Sequence, residues 1–136
     1  MSPDAARLVL PSRRDDVEAA LQRIMRDVEC CGMGRAECFA VRLALEEALS
    51  NALRHGNQND PAKHITLAYR VTPDSVEVEV EDEGSGFVPD AVPDPTLDEN
   101  IVIPSGRGLM LMRAYMSEVC YNDRGNRVYL RYNRSG

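Results

Sequence analysis

The sequence predicts an α+β fold: a two-layer sandwich in which a mixed, mainly antiparallel sheet carries helices on one face. Three observations predict it. Two early stretches repeat apolar residues at helical spacing. Two later stretches alternate apolar and polar residues across a short turn, which is strand spacing. A further helical stretch then separates that hairpin from two closing strands. The chain has 136 residues, read as one domain over 1–136 with a core of its own.

Ala6 to Leu10 reads as a short strand closed by Pro11, with Ser12 placed to cap the helix after it. From Arg14 to Cys31, Val17, Ala20, Leu21, Ile24, Met25 and Val28 fall on one helical face, and Gly32 and Gly34 end the run. A second helix is expected from Arg35 to His55, with Gly56 as its C-cap. Ile65, Leu67, Tyr69 and Val71 then alternate with more polar residues. After the Thr72–Ser75 turn, Val76, Val78 and Val80 alternate with Glu77, Glu79 and Glu81, the pattern of a half-buried strand. Residues 88–105 hold Pro89, Pro93, Pro95 and Pro104 with several acids and little periodicity. So long a connection reads as a functional lid. A third helix is expected from Gly108 to Met116, then strands Val119–Tyr121 and Arg127–Tyr132 around the turn at 122–126.

Composition narrows the function. Hydrophobic residues make up 43% and charged residues 28%, as in ordinary soluble domains. No apolar run reaches the length of a membrane span. The first residues show no basic stretch followed by an apolar one, so no signal peptide is expected and the cytoplasm is the expected location. Cys30, Cys31, Cys38 and Cys120 form no C-x-x-C pair and only two histidines exist, which gives a zinc site little support. The adjacent Cys30 and Cys31 could form a redox pair, but reduced thiols buried on helices are the expectation. The formal charge of −6 argues against direct nucleic-acid binding. Lys63 is the single lysine and no Walker-type loop is present, so any phosphate must be met by backbone amides and a metal ion.

Three segments carry the chemistry. In the second helix, Glu47, Asn51 and His55 recur every four residues as one polar stripe. Taken alone, the stripe reads as a solvated face, although Asn is a poor residue inside a helix. Mg²⁺ gives it a use: the ion takes one or two protein oxygens besides phosphates, and the Asn51 amide can supply one. Glu47, one turn earlier, can accept a proton from an attacking hydroxyl or water. Glu46 points elsewhere and has Arg42 four residues back as its partner on the surface.

The second segment is Glu81-Asp82-Glu83-Gly84-Ser85-Gly86-Phe87. Asp82 shares the phase of Val76, Val78 and Val80, so strand geometry puts its carboxylate on the apolar side, a costly place unless a donor arrives. The adenine amino group is such a donor, whereas guanine offers a carbonyl there. Gly84 and Gly86 let backbone approach the base. The third segment, Ser105-Gly106-Arg107-Gly108-Leu109, opens a helix whose N-terminal amides suit a phosphate.

Together, Glu47-Ala48-Leu49-Ser50-Asn51-Ala52 with His55-Gly56-Asn57, then Asp82 to Phe87, then Gly106-Arg107-Gly108-Leu109 resemble the N, G1 and G2 boxes of the GHKL ATP-binding superfamily. Within it, the chain resembles the bacterial anti-sigma-factor serine/threonine kinases, in the stretch Glu47–Asn57 and in Gly106–Tyr132 with Met112-Arg113 and Met116-Ser117-Glu118-Val119. The resemblance implies ATP and Mg²⁺ as ligands, Glu47 as catalytic base, Asn51 as the Mg²⁺ ligand and Asp82 as the adenine contact. Gly84, Gly86, Gly106 and Gly108 would shape the pocket and lid, with Arg107 and Leu109 among the ATP-binding positions. It further implies a sigma factor and a STAS-type anti-sigma antagonist protein as partners, phosphorylation of that antagonist on Ser or Thr, and a homodimer. Two alternatives stand beside this reading. One is an ATP-gated binding module with little catalysis. The other is a detached histidine-kinase catalytic domain, which would need a phospho-accepting histidine from elsewhere.

Overall fold

One-sided burial along two helices and alternating burial along the strands produce two layers. The computed structural model describes residues 5–84 and 112–134. In chain order the elements are β1 (Ala6–Pro11), α1 (Arg14–Cys30), α2 (Arg35–Ser50), a π-helical turn (Asn51–Gly56), β2 (His64–Val71), β3 (Ser75–Glu81), β4 (Glu118–Tyr121) and β5 (Arg127–Asn133). Residues 112–115 are helical, within the span expected for the third helix. The start of that helix and the expected lid at 88–105 lie outside the described residues.

Among the described residues, five strands run in the order β1-β2-β3-β5-β4. Every described pair is antiparallel, so the α+β class stands and the sheet is antiparallel rather than mixed among the described strands. Register puts Leu8, Leu67, Val80, Val128 and Tyr121 in one row, and Tyr69, Val78, Leu130 and Val119 in the next. These rows meet Leu21, Ile24 and Val28 of α1 and Val41, Leu45 and Leu49 of α2 in one buried cluster. Burying a side chain of this size contributes about 1.5–3 kcal/mol, so the two helices are held to the sheet mainly by this seam.

The opposite face of the sheet is charged. Glu77 pairs with Arg70 and Arg131, Glu79 and Glu81 with Arg127, at N–O separations of 3.5 to 4.0 Å. Partly exposed pairs of this kind contribute about 0–1 kcal/mol each, so they keep the face wet rather than hold the fold. Burial alternates residue by residue through β3, as Val76, Val78 and Val80 required.

Two expectations change. The second helix does not stay α-helical to His55. Its last turn is π-helical: the Asn57 N–H reaches the Ala52 carbonyl five residues back at 2.9 Å. The chain then reverses through Gln58 and Asn59, both in the left-handed region at φ 52° and 56°, and Asn59 N–H closes on the Leu53 carbonyl. The thiols are also not buried. Cys30 and Cys120 are exposed, Cys31 and Cys38 half-buried, and all four are free. Cys30 comes after the last core position of α1, Val28, and faces solvent. No helix among the described residues is long and apolar enough to cross a membrane.

Candidate nucleotide site

α2 sorts its two adjacent acids by phase. Glu46 is exposed and accepts from Arg42 Nε at 3.0 Å, while Glu47 is half-buried. One turn on, Asn51 is 7% exposed, and its Nδ2 has no hydrogen-bond partner among the described residues. The stripe is therefore not a solvated face. An unpartnered buried donor costs about 1–3 kcal/mol, which marks Asn51 Nδ2 as a group without a partner among the described residues. His55, also half-buried, has its pKa lowered by burial and, secondarily, by the Arg54 charge.

The π-helical turn brings Gly56 against Asp82. A Cβ at Gly56 would stand 2.3 Å from the Asp82 Cγ and Oδ2, and one at Gly84 would stand 2.3 Å from the Gly56 carbonyl oxygen. Only two hydrogens in place of side chains permit this approach. Asp82 lies just past the end of β3, half-buried. Burial pushes its carboxyl pKa up and the Glu81 charge adds to this, while the Gly84 N–H and the Arg124 and Lys63 charges act against it. The Gly84 N–H donates to Asp82 Oδ1 at 2.8 Å, and Arg124 Nη2 donates to the Gly84 carbonyl at 3.4 Å.

Two further groups complete the surroundings, and neither stands out in the sequence. Asn126, in the turn between β4 and β5, brackets Asp82: its carbonyl accepts from Asp82 N–H at 2.9 Å and its Nδ2 donates to the Asp82 carbonyl at 3.1 Å. Tyr121 sits on the core face of β4. Burial pushes its hydroxyl pKa up to about 12; Arg113 opposes this, and the charges of Asp82 and Glu47 add to it. One hydroxyl thus feels both carboxylates, which places the helix acid and the loop acid in one neighbourhood. A tyrosine at the end of an alternating strand gives no signal in sequence that it would feel both charges.

Of the residues expected at the site, Glu47, Asn51, Asp82 and Gly84 are described, and the fold gathers them at one end of α2. Gly86, Gly106, Arg107, Gly108 and Leu109 lie outside the described residues.

A profile of the histidine kinase-like ATPase domain family matches residues 10–132. The chain belongs to that family. Among relatives, the serine/threonine-protein kinase BtrW of Bordetella bronchiseptica is 31% identical over 88 residues, covering 63% of this chain and 62% of its own length. The anti-sigma F factor of Geobacillus stearothermophilus is 29% identical over 106 residues, covering 70% of this chain and 68% of its own. This member of the family therefore spans about three-fifths of the length of BtrW. A crystal structure of the RsbU and RsbW domains of a Mycobacterium tuberculosis protein superposes with a TM-score of 0.63 at 16% identity, covering 98% of this chain and 32% of that one. At that identity the likeness establishes the shared fold.

Proposed function

We propose that this domain binds Mg-ATP and transfers the γ-phosphoryl group to a serine or threonine of a protein partner, as a cytoplasmic anti-sigma regulatory kinase. The observation that carries the reading is the Asp82 carboxylate, half-buried and raised in pKa, at a close approach of backbone that only Gly56 and Gly84 permit. With Oδ1 occupied by the Gly84 N–H, the carboxylate has a second oxygen for the adenine amino group. Gly86, Gly106, Arg107, Gly108 and Leu109 are proposed to complete the ATP site around the phosphates.

The residues present fit a magnesium ion. The Asn51 amide is buried with one polar atom unpartnered among the described residues, and turning the amide exchanges its nitrogen for its oxygen. Mg²⁺ held there together with phosphate oxygens would neutralise charge developing on the transferred group. Glu47, one turn earlier and half-buried, accepts the proton of the acceptor hydroxyl as its oxygen bonds to the γ-phosphorus. The bond from that phosphorus to the bridging oxygen breaks and ADP departs.

The name of the Geobacillus relative, an anti-sigma F factor, supports a sigma factor as one partner, and that of BtrW supports a protein Ser/Thr substrate; a STAS-type antagonist is proposed as that substrate. A homodimer is part of the same proposal. The test is transfer of radiolabel from γ-labelled ATP to antagonist proteins of the source cell. Label on Ser or Thr of one antagonist is expected. Tight ATP binding with no label on any antagonist would leave an ATP-gated binding module in place of the kinase.

A further inference from the structure

Asn57 is 0% exposed, yet it follows the π-helical turn in a stretch, Asn57-Gln58-Asn59-Asp60, that otherwise faces solvent. A buried amide side chain is tolerated only when its polar atoms are satisfied. Here both are. Nδ2 donates to Ser12 Oγ at 2.8 Å and to the His64 carbonyl at 3.0 Å. Oδ1 accepts the Glu83 N–H at 2.7 Å. Ser12 in turn donates through Oγ to the Lys63 carbonyl at 2.8 Å. One side chain therefore ties the β1–α1 junction, the start of β2 and the Asp82 loop together.

Its bond to Glu83 has a particular consequence. Each N–H from Asp82 to Gly84 now has an acceptor: the Asn126 carbonyl, Asn57 Oδ1 and Asp82 Oδ1 in turn. A loop whose donors are all committed holds its carboxylate without reorganising when a ligand arrives. The wide π register contributes, because it seats Gly56 on Asp82 while Asn57 enters the interior.

We infer that Asn57 is the positioning residue for Asp82: through the Glu83 amide it fixes the carboxylate that selects the nucleobase. The inference rests on reading Asp82 as the base contact, and the experiment separates the two.

The readout is the ratio of affinities for ATP and for purine riboside triphosphate, which carries hydrogen where adenine carries its amino group. Wild type is expected to prefer ATP roughly 10- to 150-fold, the range for one hydrogen bond to a charged acceptor. No preference in wild type would overturn the base contact and this inference with it. Asn57→Ala is expected to bring the ratio at least about tenfold closer to parity, while affinity for purine riboside triphosphate changes little. Ser12→Ala is the control. It removes two bonds of the same buried hub, the one from Asn57 Nδ2 and the one to the Lys63 carbonyl, but leaves the Glu83 link, so it should lower the Tm and keep the preference. A folded Asn57→Ala protein that keeps the wild-type ratio, or a Ser12→Ala protein that loses it equally, would overturn the positioning role. Should the alanine variant not fold, Asn57→Ser, too short to reach the Glu83 amide, makes the same test. Amide exchange in wild type makes it without any variant. The Glu83 N–H is expected to exchange as slowly as the amides of β3, and exchange at the rate of an open loop would refute the link.

Discussion

Replacing Gly56 by alanine puts the claimed contact between the helix end and Asp82 under direct strain. The new Cβ would stand 2.3 Å from Asp82 Cγ and Oδ2 and 2.7 Å from Oδ1, about an ångström inside van der Waals contact. The carboxylate has little room to retreat. Its Oδ1 is held by the Gly84 N–H at 2.8 Å, and Asn126 holds its backbone on both sides. Swinging it away gives up a hydrogen bond to a charged acceptor, about 1.5–3 kcal/mol. Gly→Ala within a helix returns about 0.5–1 kcal/mol. The apo protein should therefore lose about 1–2 kcal/mol in denaturant unfolding. With Asp82 as the proposed base contact, nucleotide binding should suffer more visibly: Mg-ATP affinity by titration calorimetry should fall roughly 10- to 150-fold. Gly34→Ala, where an added Cβ meets nothing within 4 Å, should bind ATP as wild type does. Gly84→Ala should cost more stability than Gly56→Ala, since its obstacle is the Gly56 backbone rather than a side chain. A folded Gly56→Ala protein with wild-type stability and wild-type ATP affinity would refute the reasoning.

Three further perturbations read separate parts of the site. Asn51→Ala removes a buried polar atom that has no partner among the described residues, so the apo protein should unfold no more easily than wild type while Mg²⁺-dependent ATP affinity drops; calorimetry with and without Mg²⁺ decides. Glu47→Ala should abolish phosphoryl transfer and leave ATP bound, measured by label transfer beside nucleotide titration; full transfer would remove Glu47 as base. For Asp82, burial raises the carboxyl pKa above its ordinary 3.8, so the fold favours the protonated form. Its stabilising contribution is complete below 3.8 and is lost as pH rises through the raised value. Across that window, wild type should lose stability relative to Asp82→Asn, and a rise relative to the variant would contradict the sign.

Periodicity makes the sequence legible wherever packing obeys it. The phase of Val76, Val78 and Val80 placed Asp82 at the edge of the core, and burial there raises its pKa. The four-residue spacing of Arg42 and Glu46 gave their ion pair. Other features escaped because no regular period encodes them. A helical pattern read at 3.6 residues per turn runs on smoothly through Asn51–Gly56, where the chain widens to π geometry. Asn57 looks like one polar loop residue among four, and only the acceptors at Ser12 and His64 and the donor at Glu83 make it an interior residue. Asn126 sits in a turn predicted as a turn, and its second role depends on β5 lying beside β3. Both are long-range contacts, set by topology rather than by neighbours in the chain.

The central claim is that this domain is a nucleotide-binding one, and a thermal or chemical unfolding series with Mg-ATP tests it most directly. At about 100 times the dissociation constant, a ligand of the native state adds roughly 2.7 kcal/mol to the unfolding free energy. That gain is predicted for wild type with Mg-ATP, reduced in Asp82→Ala. Unchanged unfolding with Mg-ATP and Mg-ADP alike, up to millimolar concentration, would contradict it.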